Sequence, residues 1–193
     1  NATGTMARGS MVAASNGKLY GVCQYGGSAG AGVLFEYDPS STTWTVKYNF
    51  DVTTGSQPMG GLIIASNGKL YGTTSQGGAN GVGVLFEYNI STGTFAKLYD
   101  LAAATGKLPS GALVQASNGK LYGTTSRGGA NDFGSLFEYN LATSTFTKLH
   151  DFATATGSQP TGNLMQASNG KLYGMCPVGG ANDGGAIFEY DIA

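Results

Sequence analysis

Hydrophobic positions along this chain follow the short spacing of β-strands, and the whole pattern returns four times. The segment Ala-Ser-Asn-Gly-Lys-Leu-Tyr-Gly recurs every 51 residues, with its asparagine at Asn16, Asn67, Asn118 and Asn169. A Phe-Glu-Tyr segment keeps the same register and begins at Phe35, Phe86, Phe137 and Phe188. A strict period of this length is typical of proteins built from small stacked units.

Within one unit the pattern predicts four strands. In the second unit the predicted strands cover residues 62–65, 69–74, 84–88 and 94–99. The first is apolar on both faces, which predicts a fully buried strand, whereas the fourth mixes polar and apolar residues. Asn67 and Gly68 lie between the first two strands, and their types fit the two positive-φ positions of a type I′ hairpin.

This gradient of polarity favours a propeller blade with the first strand at the axis and the fourth at the rim. A single sheet cannot bury both of its faces, so the blades must stack, and the recurring aromatic residues would fill the layers between them. We therefore expect an all-β fold, a β-propeller of four-stranded antiparallel meander blades in one domain, residues 1–193. The expected repeats cover about 10–51, 61–102, 112–153 and 163–193. A β-sandwich is the alternative, but it requires no strict period.

The last blade is expected to lack its outer strand. Ala193 aligns with Ala142, in the turn before a fourth strand, and Thr3 aligns with Thr54, in the linker after one. Two explanations remain open: the chain is a segment of a longer array, or another chain supplies the missing strand. An uncovered edge favours strand pairing. The predicted pairing edge consists of Phe188, Glu189 and Tyr190.

The chain also resembles known repeat families. Residues 34–45, with Gly26 and Gly27 upstream, resemble a kelch repeat, whose pattern has a double glycine, a Tyr and a Trp. The fuller consensus of Ser-Asn-Gly-Lys-Leu-Tyr-Gly, Gly-Gly-Ala, Phe-Glu-Tyr and Thr-Gly-x-x-Pro is similar to the GloVer tandem repeat, named from Gloeobacter and Verrucomicrobia. This resemblance implies exported or surface-attached bacterial proteins, and it carries no catalytic motif.

Composition narrows the functional classes. Ten basic and eleven acidic residues leave a net charge of -1, which does not favour binding of nucleic acid. No apolar run approaches the roughly 20 residues that span a bilayer, so no membrane insertion is expected. The one histidine, His150, aligns with Tyr48 and Tyr99 and is predicted to pack on the outer strand. We therefore expect no enzyme, cofactor or metal site.

Two residue types recur once per blade and have two interpretations. These are the glutamates Glu36, Glu87, Glu138 and Glu189 and the lysines Lys18, Lys69, Lys120 and Lys171. The pattern predicts that they meet diagonally across the second and third strands, either as structural ion pairs or as a ring of carboxylates for ligand binding or acid/base work. A residue present in every unit serves the unit, which favours the structural pair.

Cys23 and Cys176 occupy the same register, three periods apart. In a closed ring of four blades they become a candidate disulfide in an oxidising compartment. Sheets pack about 10 Å apart, however, and a disulfide needs Cα atoms within about 7 Å, which favours two half-buried thiols.

Loops after the second strand are glycine-rich and polar, and such loops commonly carry binding. The candidate ligand-binding residues are Tyr25, Arg127, Asn131, Asp132, Asn182 and Asp183. The Asn-Asp pairs fit an Asx turn as well as they fit Ca²⁺ coordination.

These observations predict a non-enzymatic, extracellular or surface-exposed bacterial repeat protein that is structural or self-assembling. Its expected partner is itself, through the incomplete last blade. The alternative is a propeller module that binds a glycan or protein ligand through the loops after the second strand of each blade.

Overall fold

A computed structural model describes residues 3–109 and 111–192. Every element in these residues is a β-strand, and the strands pair in antiparallel fashion to form four small sheets. The chain divides into two compact units, Asn1–Asp100 and Leu101–Ala193, with two sheets in each. Each sheet is a propeller-type blade made from one repeat, so the predicted all-β propeller class is confirmed. A single domain of 193 residues stays a prediction.

The first unit holds two complete blades. Strands of its first blade are β1 (Thr5–Ala13), β2 (Leu19–Tyr25), β3 (Val33–Asp38) and β4 (Thr43–Asn49). Those of its second blade are β5 (Ser56–Pro58), β6 (Ile63–Ile64), β7 (Leu70–Gln76), β8 (Val84–Asn89) and β9 (Thr94–Asp100). Both β5 and β6 pair with β7, so the first strand of the second blade is interrupted, and the sequence predicted only its later half.

The second unit holds one complete and one incomplete blade. Its complete blade consists of β10 (Lys107–Pro109), β11 (Val114–Gln115), β12 (Leu121–Arg127), β13 (Ser135–Asn140) and β14 (Thr145–Asp151). The last blade consists of β15 (Thr161–Gln166), β16 (Leu172–Cys176) and β17 (Ala186–Tyr190), in the spatial order β15-β16-β17. The expected absence of a fourth strand from the last blade is therefore confirmed in the described residues.

The predicted type I′ hairpin between the first two strands is wrong. In this loop only Gly68 has a positive φ, at 75°, and Asn67 does not. Gly68 N donates to Ala65 O at 2.8 Å, and Ala65 N donates to Lys69 O at 3.0 Å. This is the three-residue hairpin loop in which a turn is followed by one left-handed glycine. Asn67 instead stabilises the loop through its side chain, because its Oδ1 accepts a hydrogen bond from Lys69 N at 3.1 Å.

Burial is greatest on the second and third strands and not on the first, contrary to the prediction. Six consecutive residues of β7, starting at Leu70, are buried, whereas Ile63 and Ile64 are only half-buried. The second strand has a paired strand on each side, but the first has a paired neighbour on one side only. The outer strand β9 is half-exposed, as expected.

Aromatic residues fill the layer between the two blades of each unit, as predicted. In the first unit the Phe50 ring lies 5.1 Å from Phe86 and 5.7 Å from Phe95. In the second unit Phe152 lies 4.9 Å from Phe188. Edge-to-face packing of this kind stabilises each contact beyond simple burial of apolar surface.

Candidate functional site: the edge and outer faces of the terminal blades

The outer strand of the last blade, β17, is an open edge. The equivalent strand β8 pairs with β7 on one side and β9 on the other, whereas β17 pairs with β16 alone in the described part of the chain. The three residues of the predicted pairing edge, Phe188, Glu189 and Tyr190, lie on this strand. Its backbone therefore offers the ladder positions that a further strand needs.

A cavity of about 210 Å³ lies beside this edge, and we call it the edge slot. Its lining residues are Leu136, His150, Phe152, Thr156, Phe188, Glu189 and Tyr190. An apolar cavity of about 150 Å³ is large enough to hold a benzene molecule, so the edge slot has room for one aromatic ring. The slot and the open edge belong to the same unit.

The second blade shows what fills the equivalent space. There the Phe95 ring of β9 stacks on Tyr48 at 3.8 Å, with the ring planes 4° apart, and lies 5.4 Å from Phe86. Two periods later Tyr48 corresponds to His150 and Phe86 to Phe188, both in the lining of the edge slot. No described residue corresponds to Phe95 in the last blade. The edge slot therefore corresponds to the space that the aromatic side chain of the fourth strand, Phe95, occupies in the second blade.

Large apolar side chains that are exposed concentrate on the first and last blades. Ile187 is 79% exposed, whereas its counterparts Leu34, Leu85 and Leu136 are at most 1% exposed. Met11 is 53% exposed, whereas its counterpart Leu62 is 3% exposed. Sequence reasoning missed these residues, although the register identifies each as a position that other blades bury.

Each blade contains the same network of four side chains. In the second blade Lys69 Nζ donates to Glu87 Oε1 at 2.8 Å, and the Tyr71 hydroxyl donates to Glu87 Oε2 at 3.0 Å. Asn67 Nδ2 donates in turn to the Tyr71 hydroxyl at 2.8 Å. In the four blades the Lys–Glu distances are 2.9, 2.8, 2.8 and 2.6 Å, which confirms the predicted diagonal approach. Both carboxylate oxygens are engaged, and this supports the structural interpretation of the pairs.

The network shifts the ionisation of its members in the first blade. Burial alone would raise the pKa of Glu36, but hydrogen bonds from Tyr20 and Lys18 and the charge of Lys47 outweigh burial, and the pKa is lowered. Burial, together with the hydrogen bond to Glu36, raises the pKa of Tyr20 to about 12. Glu36 is therefore held as a carboxylate, and Tyr20 is held as a neutral hydrogen-bond donor.

Both predicted ligand-binding carboxylates, Asp132 and Asp183, form hydrogen bonds within their own loops. Asp132 Oδ1 accepts from Gly128 N at 2.9 Å and pairs with Lys107 Nζ at 2.9 Å. Asp183 Oδ1 accepts from Gly179 N at 2.8 Å. Both have φ near +55°, with values of 57° and 53°. Each carboxylate thus accepts from the backbone N–H four residues before it, whereas an Asx turn would use the N–H two residues after it.

The other predicted ligand-binding residues are distributed over both units. Asn131 lies in the loop of Asp132 and donates from Nδ2 to Phe152 O at 3.1 Å. Arg127 is half-buried at the end of β12, and Asn182 is exposed in the loop after β16. Tyr25 lies in the first unit, at the end of β2, and is 37% exposed. Binding of a glycan or protein through these loops stays a prediction. The described residues contain no group of three or more His, Cys, Asp or Glu side chains that could hold a metal ion.

Cys23 and Cys176 are free and buried, one in each unit. Burial raises the pKa of both thiols, and that of Cys176 reaches about 11. Both are therefore held as neutral thiols at physiological pH. A disulfide between them stays a hypothesis.

Comparisons with known proteins agree with this fold. Residues 7–193 match the model of the Gloeobacter/Verrucomicrobia repeat. None of the curated proteins matches the chain in sequence. In the described residues no helix has the length and hydrophobicity that crossing a bilayer requires.

Solved structures share the fold at low sequence identity. The extracellular domain of a one-component system from B. thetaiotaomicron is similar with a TM-score of 0.61 and 16% identity, over 95% of this chain and 21% of that one. TolB from Acinetobacter baumannii is similar with a TM-score of 0.57 and 17% identity, over 91% of this chain and 38% of the TolB chain. A chain of a nidogen/laminin complex is similar with a TM-score of 0.61 and 13% identity, over 88% of this chain and 56% of that one. This chain thus spans between about a fifth and just over half of the solved chains that it resembles.

Proposed function

Because the chain belongs to the Gloeobacter/Verrucomicrobia repeat family, we propose that it is a non-enzymatic structural repeat protein whose copies associate through the outer faces of their terminal blades. The exposure of Ile187 carries this proposal. At 79% it contrasts with exposures of 1% or less at Leu34, Leu85 and Leu136, which occupy the same register. A position that every other blade buries is apolar and open to solvent in the last blade, and such a patch is typical of an interaction surface.

Packing inside each unit indicates which surface fits this patch. Leu34 of the first blade shares a buried cluster with Leu62 of the second. Leu136 and Leu164, which lie two periods later, share the equivalent cluster in the second unit. Ile187 occupies the repeat position of Leu34 and Leu136, and Met11 occupies the repeat position of Leu62 and Leu164. Residues at these two positions therefore pack against each other between neighbouring blades of one unit.

The two exposed faces thus complement each other. The last-blade face comprises Met165, Met175 and Ile187, which are 61%, 63% and 79% exposed. The first-blade face includes Met11, at 53%, and Trp44, at 41%. We propose that the last-blade face of one copy docks on the first-blade face of a second copy. Such a head-to-tail contact is heterologous, so it leads to chains or larger closed assemblies.

The network around Glu36 supports the absence of catalysis in this proposal. Glu36 accepts from Lys18 at 2.9 Å and from Tyr20, and its pKa is lowered. A general acid needs a raised pKa and access to substrate, and this carboxyl has neither. We further propose an extracellular location, which the similarity in fold to a solved extracellular domain supports.

Mass measurement by size-exclusion chromatography with light scattering tests the association. The wild-type chain is expected to increase in mass with concentration, whereas Met11→Asp and Ile187→Asp each leave a monomer. A mixture of the two variants is expected to give dimers only, because each variant retains one intact face. Val52→Asp is the matched control, since Val52 is 71% exposed but lies in the linker between β4 and β5. A wild-type monomer at every concentration would refute the proposal.

A further inference from the structure

The open edge and the edge slot together define a second binding surface, distinct from the two outer faces. We infer that this surface binds one added β-strand with the chemistry of the fourth strand of this repeat, and that an aromatic side chain of that strand enters the edge slot. The three fourth strands β4, β9 and β14 are each paired in their own sheets, so the added strand is not one of them. Three separate features of the complete blades specify how it binds.

The first feature is the register of pairing. In the complete blades the aromatic residue of the fourth strand is paired with the tyrosine of the Phe-Glu-Tyr segment. These pairs are Tyr37 with Trp44, Tyr88 with Phe95, and Tyr139 with Phe146. All three blades also place a register shift just before the phenylalanine of that segment. The corresponding alignment sets the aromatic residue of an added strand opposite Tyr190.

The second feature is the aromatic slot. In the second blade Phe95 lies 3.8 Å from Tyr48, 5.7 Å from Phe50 and 5.4 Å from Phe86. The equivalents His150, Phe152 and Phe188 all line the edge slot, whose volume is about 210 Å³. His150 and Phe152 keep the edge-to-face contact of Tyr48 and Phe50, with ring centroids at 5.1 and 5.2 Å respectively. The walls of the slot thus have the arrangement that holds an aromatic ring in the second blade.

The third feature is the acidic or amide residue that ends each fourth strand. Asn49 accepts from Ser28 N at 3.0 Å, Asp100 from Ala79 N at 2.7 Å, and Asp151 from Ala130 N at 2.8 Å. Each of these bonds ties the end of the fourth strand to the loop after the second strand. The equivalent amide in the last blade is that of Ala181. An added strand that ends in Asp or Asn would accept a hydrogen bond from it.

A synthetic peptide tests the inference directly. Its sequence is that of residues 89–100, with a fluorescent label at its first residue and, in one version, a diazirine-bearing phenylalanine at position 95. The peptide is expected to bind the 193-residue chain at one site and to crosslink to His150, Phe152 or Phe188. Replacing the phenylalanine by alanine is expected to weaken binding roughly 30-fold or more, because the ring is the buried anchor. A scrambled peptide is expected not to bind.

Variants of the protein locate the binding site. His150→Asp removes one wall of the edge slot and is expected to weaken peptide binding roughly three- to tenfold. Thr147→Asp is the matched control, because Thr147 is exposed on the same strand but does not line the slot. Equal affinity of the alanine and phenylalanine peptides, or crosslinks only outside the slot, would overturn the inference. That result would not bear on the proposed association of the outer faces. The variants that test the association, Met11→Asp and Ile187→Asp, change residues that do not line the edge slot.

Discussion

The second blade and the last blade are built from the same repeat, and they differ by one strand. With β9 present, Phe86 and Tyr88 are at most 1% exposed, whereas their counterparts Phe188 and Tyr190 are only half-buried. The side-chain network nevertheless persists in the last blade, where Lys171 lies 2.6 Å from Glu189 and Tyr173 donates to Glu189 at 3.0 Å. The fourth strand is therefore not needed to organise the second and third strands. It is needed to bury their aromatic face.

Truncation of one aromatic ring in each unit is expected to give the largest difference in the free energy of unfolding. Phe50→Ala removes a ring surrounded by Tyr48, Phe86 and Phe95, and it should lower the free energy of unfolding by about 3–5 kcal/mol. Phe152→Ala enlarges the edge slot, which no fourth-strand ring of the described residues fills, and its cost should be about 3 kcal/mol, at the lower end for such changes. Urea denaturation followed by circular dichroism measures both values. Equal costs would contradict the idea that the fourth strand completes the packing.

Loss of the repeated carboxylate is expected to have an intermediate effect. Glu36→Gln should cost about 1–3 kcal/mol, because the Glu36 side chain is only 10% exposed and its partners lose a charged acceptor. Glu189→Gln should cost clearly less, since the Glu189 side chain is 52% exposed. The two variants serve as each other's control in thermal denaturation. A larger loss for Glu189→Gln would show that burial does not set the strength of the pair.

The same pair predicts a dependence on pH. The pKa of Glu36 is lowered in the folded chain, so its stabilising effect is complete above the pKa of the unfolded chain. The effect is lost as the pH falls through the lower folded pKa. Unfolding free energies measured from neutral to acidic pH should therefore converge for the wild type and Glu36→Gln at low pH. A constant gap between them across that range would contradict this assignment.

Reduction of the chain is expected to have the smallest effect. Both cysteines are free and buried, so a reducing agent should leave the melting temperature unchanged. Thiol reagents should react slowly with the native chain, because burial raises the pKa of Cys23, and it raises the pKa of Cys176 to about 11. The Cys23→Ser variant provides the control for reagent counting. A clear drop in melting temperature on reduction would instead support the disulfide between Cys23 and Cys176.

Local sequence signals predicted the strands, the missing fourth strand and the Lys–Glu pairs well, because each depends on residues close in register. The hairpin at Asn67 and Gly68 was predicted at the right place but with the wrong turn type. A two-residue loop with two left-handed residues and a three-residue loop that ends in one left-handed glycine can both contain Asn-Gly, and the hydrogen bonds that close the loop decide between them. The candidate loop residues Asp132 and Asp183 accept hydrogen bonds from the backbone of their own loops, which the sequence did not predict, and their role in ligand binding stays a prediction.

The sequence by itself determined that the chain folds as repeated four-stranded sheets, because a strict 51-residue period with alternating strands and turns permits few other arrangements. Only the tertiary structure decided which copies of a repeated position are covered. Leu34 and Ile187 read alike in the sequence, yet the first is buried against the next blade and the second is open to solvent. Whether a residue is buried depends on the neighbouring sheet and not on the residue alone, and the edge slot beside Phe188 exists for the same reason.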